Sequence, residues 1–181
     1  SVSYTGTSQG AVNAGAYAIT PSGLSAANYT LSYASGTLTV NKAALTLTGA
    51  DATREYGAAD PAFSATLTGF VNGETASVLG GTLTFGGAAV TAVNAGAHAI
   101  APAGLTSGNY NITFTDGALT ISKVVLTVTA ENKTRAFAAA NPTLTHVITG
   151  FVNNESTAVV SGSPVLSTTA VATSPGGNNS H

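Results

Sequence analysis

The sequence predicts a mainly β protein built from tandem modules of about 81 residues. Apolar and small polar residues alternate at period two, as in half-buried strands, so that Tyr29, Leu31 and Tyr33 would share one face. The segment VNAGAYAI at 12–19 also recurs as VNAGAHAI at 93–100, which lies 81 residues further along the chain. Asn-Ala-Gly is typical of a turn, and the alternating apolar run after it is typical of a strand. The recurrence of this pattern therefore indicates a repeated structural unit.

The repeat continues without a gap far beyond this octet. Asn28–Tyr29 matches Asn109–Tyr110, and Thr68–Asn72 matches Thr149–Asn153, at the same spacing. Self-similarity at one fixed period marks a modular array. We therefore expect three domains: the C-terminal part of a repeat unit at 1–42, a complete repeat unit at 43–123, and the N-terminal part of a truncated repeat unit at 124–181.

Within one repeat, the pattern predicts the order strand, strand, short helix, strand, strand, strand. Thr residues between the apolar positions are β-branched and suit the exposed face of a strand. Glu74–Leu79 lacks alternation and predicts one or two helical turns, with Glu74 at the positive end of the helix dipole. Asp116–Gly117, between YNITFT and ALTIS, predicts a hairpin turn. This order favours a β-grasp-like sheet with one short helix laid across it, with an immunoglobulin-like β-sandwich as the alternative.

Composition excludes several classes of partner. Only 7% of the 181 residues are charged, against about 25% in typical soluble domains, and the formal net charge is −2. Binding to nucleic acid or to an anionic membrane needs clustered Lys and Arg, of which the chain has five in all. No apolar run approaches the roughly 20 residues that span a bilayer, so we expect no membrane insertion. The absence of Cys favours a bacterial exported protein.

The landmarks of each repeat, taken together, resemble the MBG domain of the YGX type. Repeat three departs from the pattern at Phe137–Ala138 and at Asn153–Asn154, where Tyr-Gly and Asn-Gly are expected. The resemblance implies tandem modules of large bacterial surface or secreted adhesins, similar to filamentous haemagglutinin, and it implies no catalytic residues. The landmarks that carry it are Tyr56–Gly57, Asp60–Pro61, Gly69, Asn72–Glu74, Gly80, Gly96 and Asn109–Tyr110.

We predict no catalytic, cofactor-binding or metal-binding residues. The three histidines share no motif, and the acids Asp51, Glu55 and Asp60 are too sparse for a calcium loop, although a cluster of them at a module junction is an alternative. The pairs Lys42/Lys123 and Glu74/Glu155 recur, which leaves a Lys–Asn or Lys–Asp cross-link beside a Glu as a second alternative. The histidines, which we expect to be structural, are His98, His146 and His181.

Two further residue types are candidates for surface roles. Asn-x-Ser/Thr triplets could carry glycans, although many arise by chance in a chain this rich in Ser and Thr. The tyrosines could stack on sugars, but their alternation favours core packing. The triplets begin at Asn28, Asn111, Asn132, Asn154 and Asn178, and the tyrosines are Tyr17, Tyr29, Tyr33, Tyr56 and Tyr110.

These observations favour a non-catalytic stalk or spacer repeat of a bacterial cell-surface or secreted adhesin, located outside the cell. Its partners would be the neighbouring modules of the same chain. The alternatives are an adhesion module that binds a host glycan or surface protein, and an accessory module of a large secreted enzyme. Diversified loops would favour a binding module, but 10–19 and 91–100 agree closely.

Overall fold

The computed structural model describes residues 3–174, and the predicted mainly β class is confirmed. The chain divides into two compact units. The larger unit contains the chain up to Arg54, together with Asp60–Ala92 and Gly96–Thr120. The smaller unit contains Glu55–Ala59, Val93–Ala95 and the chain from Ile121 onward. The domain boundaries predicted from the repeat stay a prediction.

Ten strands belong wholly or mainly to the larger unit, and they form three sheets in the orders β1-β2-β3, β6-β4-β9 and β5-β10-β8-β7. Two 3₁₀ turns, at Ala76–Val78 and Ala88–Thr91, lie before and after β7. The strands are β1 (Ser3–Thr5), β2 (Gly15–Ser22), β3 (Gly36–Val40), β4 (Ala43–Gly49), β5 (Ala52–Glu55), β6 (Ala65–Thr68), β7 (Gly80–Gly86), β8 (Gly96–Thr106), β9 (Tyr110–Thr115) and β10 (Gly117–Ser122).

The core lies between the second and third of these sheets, where β8 packs against β4 and β9. Strand β4 turns every second residue inward, which buries Leu45 and Leu47, while Ile100 of β8 and Leu119 of β10 are buried from the other side. Strand β4 is the middle strand of its sheet: it runs antiparallel to β6 and parallel to β9. In the parallel pair, Leu45 lies opposite Ile112.

The arrangement of the strands differs in part from the predicted one. The expected helix at Glu74–Leu79 is a single 3₁₀ turn, Ala76–Val78, and the strands form two packed sheets instead of one sheet with a helix across it. Two packed sheets agree with the alternative sandwich, but the parallel β4–β9 pair departs from the antiparallel sheets of immunoglobulin domains.

The predicted hairpin at Asp116–Gly117 is wrong, because β9 and β10 belong to different sheets. At this point the chain crosses from one sheet to the other. A Cβ on Gly117 would lie 2.6 Å from the carbonyl oxygen of Gly49, so the crossing needs a residue without a side chain. The Asp51 carboxylate then accepts a hydrogen bond from the Ala118 amide at 2.8 Å, which fixes the start of β10.

The smaller unit contains a two-stranded antiparallel sheet of β11 (Thr127–Ala130) and β12 (His146–Thr149), in which Val128 lies opposite Ile148. A 3₁₀ turn at Thr157–Val159 follows, and the side chain of Ser156 caps it. Among residues 3–174, no helix is long and apolar enough to cross a membrane.

Candidate functional site

A tyrosine–glutamate pair is the main polar feature of the larger unit. Tyr110, the buried first residue of β9, donates its hydroxyl proton to Glu74 Oε2 at 2.5 Å and accepts a hydrogen bond from the Val71 amide at 3.2 Å. Phe70 packs edge-on against the Tyr110 ring, with 5.6 Å between ring centroids. The pair therefore ties the loop after β6 to the start of β9.

A tight turn brings Glu74 to the tyrosine. Asn72 and Gly73 both have positive φ, at 55° and 71°, which is a conformation that Asn and Gly tolerate better than other residues. The Glu74 amide closes the turn on the Val71 carbonyl at 3.0 Å. Glu74 was expected to open a helix at the positive end of its dipole, but the helix is only the 3₁₀ turn Ala76–Val78, and its N-cap is Thr75. The short side chain of Thr75 accepts from the Ser77 amide, which leaves Glu74 for Tyr110.

Asn109 connects two consecutive repeats within the larger unit. Its Nδ2 donates to Asn13 Oδ1 at 2.9 Å, and its Oδ1 accepts from the Ala14 amide at 3.0 Å. Asn13 and Ala14 belong to the first copy of the repeated octet, whereas Asn109 belongs to the next repeat. Lys42 Nζ donates to the carbonyl oxygen of Ser107 at 3.0 Å, so the recurring lysine also binds backbone at this place.

The smaller unit contains a second tyrosine–glutamate pair. Tyr56 donates to Glu155 Oε1 at 2.5 Å. Glu155, which is 81 residues after Glu74, follows a turn of Asn153 and Asn154 with φ values of 54° and 58°. Here the tyrosine comes from repeat two and the glutamate from repeat three. A cavity of about 240 Å³ beside the pair is lined by Tyr56, Lys123, Leu126, Phe151, Glu155 and Val159.

Each carboxylate shifts the pKa of its tyrosine, chiefly through the hydrogen bond between them. The hydrogen bond to Glu74 raises the pKa of Tyr110, and the hydrogen bond to Glu155 raises the pKa of Tyr56. Because each phenol is held protonated as a donor, the hydrogen bond connects two segments of the chain near neutral pH.

Removing the Tyr110 hydroxyl tests this role. Tyr110→Phe leaves the Glu74 carboxylate without its donor, so we expect the urea midpoint of the larger unit to fall. The folded pKa is above the ordinary 10.0, so the contribution of the bond is complete below pH 10 and is lost as the pH rises through the folded pKa. The wild-type advantage over Tyr110→Phe, measured by circular dichroism, should therefore be constant between about pH 7 and 9 and shrink above about pH 10.

The matched control is Glu74→Gln, which keeps an acceptor but removes the charge. Glu74→Gln should keep most of the wild-type stability between about pH 7 and 9, and its stability should fall less than that of the wild type above about pH 10. An advantage that does not change between about pH 9 and 11 would contradict the assigned bond.

An arginine clamp occurs in each unit. In the larger unit, Arg54 Nε lies 2.6 Å from Asp60 Oδ1, and its Nη2 donates to the Ala92 carbonyl at 2.8 Å. In the smaller unit, Arg135 Nε donates to Asn141 Oδ1 at 2.7 Å, and its Nη2 donates to the Val171 carbonyl at 2.5 Å. The neutral Asn141 replaces Asp60 with the same geometry, so the clamp holds backbone and does not depend on an ion pair.

The structure gives separate partners to two of the acids considered for a metal site. Asp60 binds Arg54 and Asp51 binds the Ala118 amide, and residues 3–174 contain no group of three His, Asp or Glu side chains able to hold a metal ion. In the smaller unit, hydrogen bonds from Thr145 and then Lys133 lower the pKa of Glu131. Each of these carboxylates is thus used in a local polar contact.

The remaining candidate residues are scattered. His98 is half-buried on β8 and His146 is half-buried on β12, while His181 lies outside the described residues. The prediction that the tyrosines pack in the core is correct for Tyr110. It is wrong for Tyr29 and Tyr33, which are exposed. The Asn-x-Ser/Thr positions Asn28, Asn111, Asn132 and Asn154 are exposed, Asn178 lies outside the described residues, and their glycosylation stays a prediction.

Sequence reasoning missed the Tyr–Glu pairs and the Asn109 bridge. The sequence did contain a signal, because Asn-Tyr recurs at the same 81-residue spacing as Glu74 and Glu155. This recurrence shows that the fold needs these side chains, but it does not show which residue each of them contacts. The cross-link alternative also stays a prediction. An intact mass lower than the sequence mass by one ammonia would support it.

The fold and these contacts define a mainly β repeat protein whose recurring polar side chains connect segments of chain. The family described as MBG domain (YGX type) matches residues 1–39, 45–120 and 126–179. The chain therefore belongs to this family, which suggests a repeat module of surface proteins. No curated protein and no solved structure matches the chain.

Proposed function

We propose that this chain is a non-catalytic stalk or spacer of a bacterial cell-surface or secreted adhesin, and that it works outside the cell. One observation carries the proposal: polar side chains join consecutive repeats at two places. Asn109 of repeat two binds Asn13 and Ala14 of repeat one, and Tyr56 of repeat two binds Glu155 of repeat three. A spacer needs such connections between modules more than it needs reactive groups.

Composition supports the same function. Only 7% of residues are charged, which gives few features for electrostatic recognition. A module that binds a host glycan or protein is the second candidate, and the agreement between 10–19 and 91–100 speaks against diversified binding loops.

Small-angle X-ray scattering tests the proposal. The maximum dimension of this chain would be compared with that of an array of four complete repeats, each extrapolated to zero concentration. A stalk requires the dimension to grow by a constant step for each added repeat. A compact particle whose radius of gyration follows the scaling of a single globular domain would overturn the spacer function, and glycan binding would become the leading candidate.

A further inference from the structure

The loop between β6 and the 3₁₀ turn Ala76–Val78 contains the one Asn-Gly dipeptide of the sequence, Asn72–Gly73. Both residues are exposed, and their φ values of 55° and 71° make the segment from Val71 to Glu74 a type I′ turn. Asn-Gly is a favoured dipeptide of such turns. It is also the dipeptide in which the asparagine side chain most easily reaches the backbone nitrogen of the next residue, because glycine has no side chain.

The reaction open to this dipeptide is an intramolecular loss of ammonia. The Gly73 nitrogen bonds to the carbonyl carbon of the Asn72 side chain, and its proton passes to the amide group, which leaves as ammonia. Water then opens the resulting five-membered succinimide at one of its two C–N bonds, so that position 72 becomes either aspartate or isoaspartate. Glycine favours ring closure because it has no Cβ to block the approach and allows the backbone rotation that the ring needs.

The closed turn holds the two reacting atoms apart. A residue in the left-handed region ordinarily has ψ of about +47°, which directs its Cα–Cβ bond away from the next backbone nitrogen. Ring closure needs the Cα–Cβ bond of Asn72 nearly eclipsed with the bond to the Gly73 nitrogen, so the turn must open first. The hydrogen bond from the Glu74 amide to the Val71 carbonyl, at 3.0 Å, opposes this opening.

The Tyr110 hydroxyl holds both ends of this turn. It accepts a hydrogen bond from the Val71 amide at 3.2 Å, before the turn, and donates to Glu74 Oε2 at 2.5 Å, after the turn. Tyr110 is 2% exposed and Phe70 packs edge-on against its ring, so the core fixes the position of the hydroxyl. Opening the turn therefore costs these two hydrogen bonds in addition to the backbone bond that closes it.

We propose that Asn72 is a site of spontaneous deamidation, and that the Tyr110 hydroxyl sets the rate of this modification by keeping the turn closed. All the residues involved lie within one repeat, and the proposal does not depend on the stalk function. Repeat three contains the matched comparison. Asn153 and Asn154 form the same turn, with φ values of 54° and 58°, but Asn154 carries a side chain where repeat two has glycine. Asn153 should therefore react more slowly than Asn72.

Either product would weaken the connection that Glu74 makes. Isoaspartate adds one atom to the backbone path between positions 72 and 73, so the Glu74 amide no longer meets the Val71 carbonyl in the same register. Aspartate keeps the backbone path but places a second carboxylate close to Glu74, and like charges at such a distance repel. Because ammonia is lost to solvent, a modified turn stays modified, and the larger unit would lose stability with age.

Incubation of the chain near neutral pH, followed by proteolysis and mass spectrometry, measures the rate of deamidation at each asparagine. In urea, where both turns are open, Asn72 should deamidate at least about tenfold faster than Asn153. In the folded chain, the rate at Asn72 should lie at least about tenfold below its rate in urea, because only opened turns react. Tyr110→Phe keeps the ring but removes the hydroxyl, and should raise the rate in the folded chain at least about fivefold.

Matched controls separate the chemistry of the dipeptide from the effect of the tyrosine. Tyr56→Phe makes the same change beside the turn of repeat three, where Tyr56 binds Glu155, and should leave the rate at Asn72 unchanged. Asn154→Gly gives repeat three the reactive dipeptide, and should raise the rate at Asn153 in urea at least about tenfold. Circular dichroism checks that each variant is folded before its rate without urea is compared.

Three outcomes would overturn the proposal. Equal rates at Asn72 and Asn153 in urea would show that the glycine does not create a reactive site. Equal rates at Asn72 in the folded chain and in urea would show that the turn does not protect it. A folded Tyr110→Phe variant that deamidates at the wild-type rate would remove the hydroxyl from this role. If Tyr110→Phe does not fold, Glu74→Gln, which weakens the same hydrogen bond, is judged by the same criterion.

Discussion

Replacing Leu45 with Ala is expected to lower the free energy of unfolding of the larger unit by about 2–5 kcal/mol, which is the range for buried leucines. Leu45 is 1% exposed on β4 and faces the core between the two sheets. Removing three carbon atoms loses their burial and leaves a cavity that the flanking strands cannot close without breaking ladder hydrogen bonds. The measurement is urea unfolding followed by circular dichroism.

The same chain provides a matched control for this substitution. Leu126 stands 81 residues after Leu45 and is 37% exposed. Leu126→Ala should cost less than about 1 kcal/mol, as exposed substitutions do. Equal costs at both positions would contradict the difference in burial.

The strand pattern of the larger unit was predictable because it is local. Period-two alternation places Leu45 and Leu47 on one face of β4, and Leu119 and Ile121 on one face of β10, without knowledge of their neighbours. The repeat spacing likewise identified equivalent positions. Both features can be recognised from neighbouring residues or by comparing the sequence with itself, so the sequence alone is enough to predict them.

The pairing of strands and the burial of particular residues were not predictable in the same way. The parallel β4–β9 ladder joins Ala43 to Tyr110, and no local turn signals a partner that distant. Tyr29 and Tyr110 share one pattern, but only Tyr110 has Glu74 and the core around it. Whether an alternating segment is covered depends on which strand reaches it, and this is a tertiary property.

Replacing Gly104 with Ala is expected to destabilise the larger unit by at least about 2 kcal/mol, through two effects. Gly104 has φ of +93°, where a residue with a Cβ is strained at a cost of about 1–3 kcal/mol. Its added Cβ would also lie 2.1 Å from the Thr82 carbonyl oxygen, a backbone atom that cannot rotate away. Relieving this overlap would cost about 1–3 kcal/mol more.

The overlap has a structural origin in the β7–β8 pair, where the register shifts between Gly81 and Thr84. The backbones of the two strands approach each other closely at this register shift, so the shift requires a glycine at position 104. Unfolding by urea should show the loss in the midpoint of the larger unit. Amide hydrogen exchange should show it first in β7 and β8, which hold Thr82 and Gly104.

The control for Gly104 is Gly73→Ala. Gly73 also has positive φ, +71°, but nothing lies within 4 Å of an added Cβ. Gly73→Ala therefore measures the cost of backbone strain without steric overlap, and we expect it to lower the free energy of unfolding by about 1 kcal/mol. If Gly73→Ala and Gly104→Ala cost the same, the close approach to Thr82 contributes nothing and strain alone sets both values. A larger cost at Gly104, with exchange accelerated in β7 and β8, would place the excess in the contact between these two strands.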